Sequence, residues 1–189
     1  MAAAVTAVPQ GRSASPAPAI ASDQGDVWAR RFAFDLQGGL GTPYGLLGAS
    51  FEWTPVRFFT LAMGVGDNGV GPQLAVLPRV RLVLDRMAIA LGVGPSWGPY
   101  TTSDGSLGFF DPSWIGTYDG LWLNADLSVE ERWPFGLEMR QYLGVATVAY
   151  AESVQCQTAG SYCPGAESQM GKTLPYLGLA VGYAFGRTR

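Results

Sequence analysis

The sequence predicts an all-β fold, an eight-stranded antiparallel up-and-down β-barrel, and three observations favour it. From about residue 30 onward, large apolar residues alternate with small or charged ones, as in strands whose two faces differ. Charged residues make up only 14% of the chain, against roughly 25% in soluble domains. No run of about 18 uninterrupted apolar residues is present, so a transmembrane helix is not indicated.

The last strand shows the alternation most clearly. One face carries Leu177, Leu179, Val181, Tyr183 and Phe185, and the other carries Gly178, Ala180, Gly182 and Ala184. Such a strand fits a transmembrane barrel, where the large apolar face meets lipid and the small face meets a crowded interior.

The same alternation places the remaining strands in order along the chain. The eight strands are expected at about 30–38, 44–54, up to 66, 72–84, 87–97, 118–130, 135–151 and 174–185. Tight turns are predicted at Thr54-Pro55, at Asp85-Arg86 and near Glu131 to Pro134, with long connections after strands five and seven. Bacterial outer-membrane barrels have short periplasmic turns and longer outer loops. The pattern therefore predicts a bacterial outer-membrane location with both termini periplasmic.

The N-terminal segment differs in composition from the rest of the chain. Residues 1–28 are rich in Ala, Pro and Ser and have no period, so we expect a disordered segment or the remnant of an export signal. Ala19-Ile20-Ala21 is a candidate cleavage site. The barrel domain is expected to comprise residues 29–189.

Charged residues lie on the inward face of the predicted strands. They are Arg31, Asp35, Glu52, Arg79, Arg81, Asp126, Glu130, Glu138 and Arg140. Buried charges must pair, and eight strands leave an interior that side chains just fill. We therefore predict a plugged barrel held by an arginine–carboxylate network. A narrow, low-conductance pore along these charges is the alternative.

Aromatic residues cluster near both ends of the predicted strands, as in the two belts at membrane interfaces. The periplasmic belt is expected to contain Phe32, Trp53, Phe59, Trp133, Phe135 and Phe185. The outer belt is expected to contain Tyr44, Trp97, Tyr100, Trp114, Tyr118, Tyr150 and Tyr176.

The two cysteines, Cys156 and Cys163, lie in a polar stretch between the last two strands. In an exported protein such a pair indicates a disulfide that closes a small loop. Two thiols without any histidine are too few for a four-ligand zinc site.

Together these features resemble the small eight-stranded outer-membrane barrels of Gram-negative bacteria, the OmpA/OmpX-like superfamily, over about Arg30 to Phe185. The closing Tyr183-Ala184-Phe185 is similar to the aromatic end of that family's last strand. The resemblance implies contact with the barrel-insertion machinery during assembly. The chain departs from the family pattern at Ala180, where glycine is frequent, and Gly186 to Arg189 follow the final aromatic residue.

The sequence favours no enzymatic activity and no cofactor. It contains no histidine, which excludes a Ser-His mechanism, and no phosphate-binding or dinucleotide-binding motif is present. The net charge of -3 gives no support for nucleic-acid binding.

The expected function is structural, or a surface interaction through the outer loops. Outer-membrane lipid is the main expected partner, and an unidentified surface ligand would contact the polar segments Thr101 to Ser113 and Glu152 to Lys172. The alternative from another class is a soluble lipocalin-like barrel, which would turn the Leu, Val and Phe face inward around a ligand.

Overall fold

The structure of the protein, a computed structural model, describes residues 26–103, 114–158 and 166–187. Eight antiparallel strands follow one another around a closed barrel, in which the first strand pairs with the last. They are β1 (Arg30–Leu40), β2 (Leu47–Val56), β3 (Phe59–Asp67), β4 (Pro72–Leu84), β5 (Met87–Ser103), β6 (Trp114–Arg132), β7 (Leu137–Thr158) and β8 (Thr173–Arg187). The predicted eight-stranded up-and-down barrel is confirmed.

Two short 3₁₀ helices accompany the strands, Val27–Ala29 before β1 and Ala166–Gln169 before β8. Within the described ranges, no helix has the length and apolar content needed to cross a bilayer.

The two ends of the barrel differ in their connections. At the terminal end, where the chain enters and leaves the barrel, the turns are short: Arg57–Phe58, Asp85–Arg86 and Trp133–Gly136. At the loop end, the connections after β1, β5 and β7 are longer, whereas the one after β3 is as short as Trp133–Gly136. Asp85 has a φ of 55°, a left-handed conformation that aspartate tolerates better than most residues.

The second strand and its turn differ from the sequence prediction. β2 begins at Leu47 rather than near Tyr44, and the turn falls at Arg57–Phe58 rather than at Thr54-Pro55. Pro55 lacks an N–H group, which suggested a turn. The strand instead continues past it, with an irregular register between Trp53 and Val56.

Strands β5, β6 and β7 are longer than predicted, with 17, 19 and 22 residues. Their pairing continues through Pro99 and Tyr100, which lie opposite Asp119 and Tyr118. Because β3 has only 9 residues, one side of the barrel extends beyond the other at the loop end.

The faces of the barrel segregate by side-chain size and charge. Most leucines, valines and phenylalanines of the strands face outward, and Leu36, Leu82 and Leu143 are each 63% exposed. The inward face carries charged and aromatic residues beside alanine and glycine. Gly178 shows why small residues are needed, because a Cβ there would lie 2.5 Å from Cζ of Tyr142. The large apolar face is therefore outside, which contradicts the lipocalin-like alternative.

Candidate functional site: the barrel interior

The terminal half of the interior holds a cluster of buried charges, which we call the ionic core. Its members are Asp35 on β1, Glu52 on β2, Arg79 and Arg81 on β4, Asp126, Glu130 and Arg132 on β6, and Glu138 and Arg140 on β7. All are almost fully buried. Strand alternation brings them inward, and antiparallel pairing sets β6 and β7 charges side by side, as in the Glu130–Arg140 pair.

Glu52 is the centre of the ionic core. Its carboxylate lies 3.2 Å from Arg79 Nη1, 3.7 Å from Arg81 Nη2 and 3.8 Å from Arg132 Nη2. Arg140 Nη1 donates a hydrogen bond to the same carboxylate. One carboxylate thus faces guanidinium groups from β4, β6 and β7.

Each of these arginines also pairs with a second, outer carboxylate. The pairs are Arg79–Asp126 at 3.1 Å, Arg81–Glu130 at 2.9 Å, Arg132–Glu138 at 2.5 Å and Arg140–Asp35 at 3.5 Å. Every arginine of the ionic core therefore bridges Glu52 to another acid. Such pairing offsets the high cost of burying the charges.

Trp28 covers the ionic core at the terminal end. Its ring lies 4.9 Å from Cζ of Arg81 and 4.7 Å from Cζ of Arg132, in the range of cation–π contacts. Its indole Nε1 donates a hydrogen bond of 2.6 Å to the carbonyl of Asp85. Residues 27 and 28, which the sequence prediction assigned to the N-terminal segment, are thus buried in the barrel. Residues 1–25 lie outside the described part, and with them the candidate cleavage site.

The structure corrects one residue of the predicted network. Arg31 is exposed, whereas Trp28 is buried in the interior at this end. Arg30 is buried instead, and its guanidinium donates hydrogen bonds to the carbonyls of Trp133 and Pro134.

Two members of the interior were missed at the sequence level. Arg132 lies at a predicted turn, although β6 continues to that residue and its side chain follows the inward period from Glu130. Trp28 follows a segment that shows no hydrophobic period. The only signal for it was a large aromatic residue directly before the first strand.

A metal ion is a conceivable occupant of the ionic core, because carboxylate oxygens of Asp35, Glu52 and Glu138 lie within 4.8 Å of one another. Arginines already neutralise all three groups. These carboxylates are therefore better suited to pairing with arginine side chains than to binding a metal ion, which the neighbouring arginines would repel.

Above the ionic core, toward the loop end, the interior becomes aromatic and neutral. Tyr142 donates a hydrogen bond of 3.2 Å to Gln37 and packs edge-on against Tyr176. Tyr100 packs against Trp122 with ring centroids 4.4 Å apart. A cavity of about 360 Å³ lies here, lined by residues of β4 to β8 and of the loops after β1 and β3.

The structure also corrects the predicted outer belt. Tyr44, Tyr118 and Tyr176 are buried, and Tyr100 stacks on Tyr118 inside the barrel. Tyr44 lies in the loop after β1, where strand alternation does not apply, and the other three follow the inward period of their own strands. Four tyrosines of the predicted belt therefore fill the interior.

The remaining belt residues lie on or near the outer surface. Trp97 and Tyr150 are exposed and stack on each other at the loop end. At the terminal end Trp53, Phe135 and Phe185 are exposed, while Phe32, Phe59 and Trp133 are half-buried. The side chain of Trp114 is not among those described.

The predicted disulfide falls largely outside the described residues. Cys156 lies in β7, where only its backbone is described, and Cys163 lies between the described ranges. The disulfide stays a prediction.

Comparison with known proteins adds little to this description. No protein-family model and no curated protein sequence matches the chain. Among solved structures, the chain is similar to the crystal structure of Acinetobacter baumannii CarO, with 12% identity and a TM-score of 0.49 over 81% of this chain and 97% of that chain. So distant a likeness carries no argument, and the resemblance to the OmpA/OmpX-like superfamily stays a prediction.

Proposed function

We propose that the protein is an integral outer-membrane β-barrel whose interior is closed by the ionic core. The single observation that carries this proposal is the inversion of the usual pattern, with large apolar side chains outside and charges inside. Soluble proteins rarely expose contiguous apolar patches above a few hundred Å². Here outward leucines, valines and phenylalanines occur on all eight strands.

The strand lengths support the same proposal. A strand tilted in a barrel needs about 9–11 residues to cross the hydrocarbon core. The shortest strand has 9 residues, and the exposed aromatic residues at the two ends suit the membrane interfaces. Lipid is the partner that this surface requires.

The orientation in the membrane follows from the connections. Short turns on the side of the termini, and longer connections after β1, β5 and β7 on the other side, are typical of bacterial barrels with periplasmic termini. The aromatic end of β8 is the segment that would contact the insertion machinery. A tag inserted after Gly171 should be reached by antibody on intact cells, whereas a C-terminal tag should not.

A closed interior favours a structural or surface-interaction role over transport. Arg79, Arg140 and Glu52 are practically inaccessible to solvent, so no continuous water path is expected through their cluster. Single barrels in planar bilayers should therefore show no steady conductance. Steady channels in the unmodified protein would favour the narrow-pore alternative.

The test of the membrane assignment is the behaviour of the purified protein. We expect it to require micelles for solubility and to migrate faster on SDS gels unboiled than boiled, because a closed barrel resists SDS until heated. A protein that stays monomeric in plain buffer, with the same mobility in both states, would contradict the proposal.

A further inference from the structure

The cavity at the loop end has the features of a ligand-binding site. Its volume of about 360 Å³ falls in the range of about 300–1,000 Å³ found for small-molecule pockets. Its walls come from residues of five strands and two loops, among them Gln73, Tyr100, Trp122, Asn124 and Ala146. The cavity therefore lies inside the barrel, on the side that the proposed function turns toward the outside.

Three polar atoms on its lining residues are buried without a partner. Trp122 Nε1, Tyr100 Oη and Asn124 Oδ1 make no hydrogen bond within the described part of the chain. Buried polar groups are nearly always hydrogen-bonded. A molecule bound in the cavity would supply hydrogen-bond partners for these three groups.

The orientation of these groups is held by their neighbours. The amide of Asn124 is fixed because its Nδ2 donates to the carbonyl of Gly94 at 3.1 Å and to Ser96 Oγ at 2.9 Å. Gly120, on the same face as Trp122 and nearer the loop end, leaves space for the ring of Tyr100, because a Cβ there would lie 3.1 Å from Tyr100 Cε1.

The three unpaired atoms define the chemistry of the ligand. The indole of Trp122 can only donate, the oxygen of Asn124 can only accept, and the hydroxyl of Tyr100 can do either. A hydroxyl group on a ligand both donates and accepts, so it can form hydrogen bonds with all three atoms. None of the described lining residues is charged, so an ionised ligand would lose its hydration there without a counter-charge.

We propose that this cavity binds a neutral, hydroxyl-bearing ring of about the size of a monosaccharide. Its hydroxyl groups pair with Trp122, Asn124 and Tyr100, and its apolar C–H face packs on the half-buried ring of Tyr100. The proposal rests on the membrane assignment only in that the loop end faces the outside. The proposal specifies the class of ligand that the surface-interaction role would involve.

The binding test uses the refolded full chain in micelles and follows tryptophan fluorescence and saturation-transfer NMR. The probes are methyl β-D-glucopyranoside, methyl α-D-mannopyranoside and N-acetylglucosamine. Glucuronate and glucosamine serve as charged comparisons. We expect saturable binding of at least one neutral probe and at least tenfold weaker binding of both charged ones.

Variants locate the binding in the cavity. Ala146→Leu fills the cavity and should weaken binding at least tenfold, whereas Ala125→Leu, one position from Asn124 on the outward side, should leave it unchanged. Trp122→Phe keeps an aromatic ring but loses the N–H group, and should weaken binding about fivefold. Trp97→Phe, on the outer surface, is its control.

Two results would overturn the proposal: no saturable binding of any neutral probe, or equal affinity for the unmodified protein and Ala146→Leu. In either case, a gel shift between unboiled and boiled protein would leave the membrane assignment intact. The loss of that shift in the unmodified protein would count against the membrane assignment instead.

Discussion

The two halves of the barrel interior are built on different principles. In the terminal half, charges of both signs fill the space around Glu52, and Trp28 covers them. In the loop half, neutral aromatic and amide groups surround a cavity. The same closed sheet thus encloses a filled core and a partly open chamber. Charge pairing, more than strand number, therefore decides where this barrel is closed.

The largest expected effect is at the centre of the ionic core. Glu52→Gln removes the charge that four arginines share. Removing one partner of a buried pair leaves an uncompensated charge, so we expect a loss of about 3–5 kcal/mol in the free energy of unfolding. Urea unfolding from micelles measures it, with Glu131→Gln at the rim as the control. Equal midpoints for both variants would show that the ionic core does not hold the barrel together.

The second-largest effect is expected at Trp28, which covers the ionic core. Trp28→Ala removes the contacts to Arg81 and Arg132 and the hydrogen bond to Asp85. We expect a loss of about 3 kcal/mol, typical of a buried tryptophan replaced by alanine. Trp28→Phe keeps the ring and loses only the N–H group, so it should cost about 1 kcal/mol. An unchanged stability in Trp28→Ala would show that the N-terminal segment is not part of the closed end.

A smaller effect is expected from overfilling the interior next to Tyr142. Gly178→Ala would place a methyl group 2.5 Å from Cζ of Tyr142, and such overpacking costs about 1–3 kcal/mol. Gly38→Ala, where the nearest atom would lie at 3.3 Å, is the milder control on β1. If both variants unfold at the same urea concentration, the interior is less tightly packed here than described.

The smallest effect is expected in the cavity. Ala146→Leu adds volume where about 360 Å³ is open, so the change in unfolding free energy should stay below about 1 kcal/mol. Together with Gly178→Ala, it tests whether the two halves differ in packing. A loss as large as that of Gly178→Ala would remove the distinction between them.

Much of this architecture could be predicted because strands have a period of two. The alternation of Leu177 and Gly178 predicts which face is outside, and the inward positions of Arg79 and Glu138 follow from the same rule. The partners of these charges could not be predicted. Arg79 on β4 reaches Glu52 on β2 and Asp126 on β6, across strands that are not neighbours in the sheet.

Tyr100, Tyr118 and Tyr176 were misplaced although they follow the inward period of their strands, because the aromatic-belt rule was given more weight than the period. Other errors occurred where the period of two does not apply. Tyr44 lies in a loop whose path the strand pattern does not determine, and it turns into the barrel. Trp28 lies in a 3₁₀ helix before the first strand, so its position could not be derived from the pattern. The cavity depends on the packing of side chains from five strands, which no local pattern encodes.

The most direct test of the central claim is quenching by brominated lipids in proteins that keep a single tryptophan. One protein keeps Trp97, on the outer surface, and the other keeps Trp28, inside the barrel. In brominated vesicles we expect strong quenching of Trp97 and little quenching of Trp28. Quenching of Trp28 that equals or exceeds that of Trp97 would contradict a barrel with its apolar face in lipid and its charges inside.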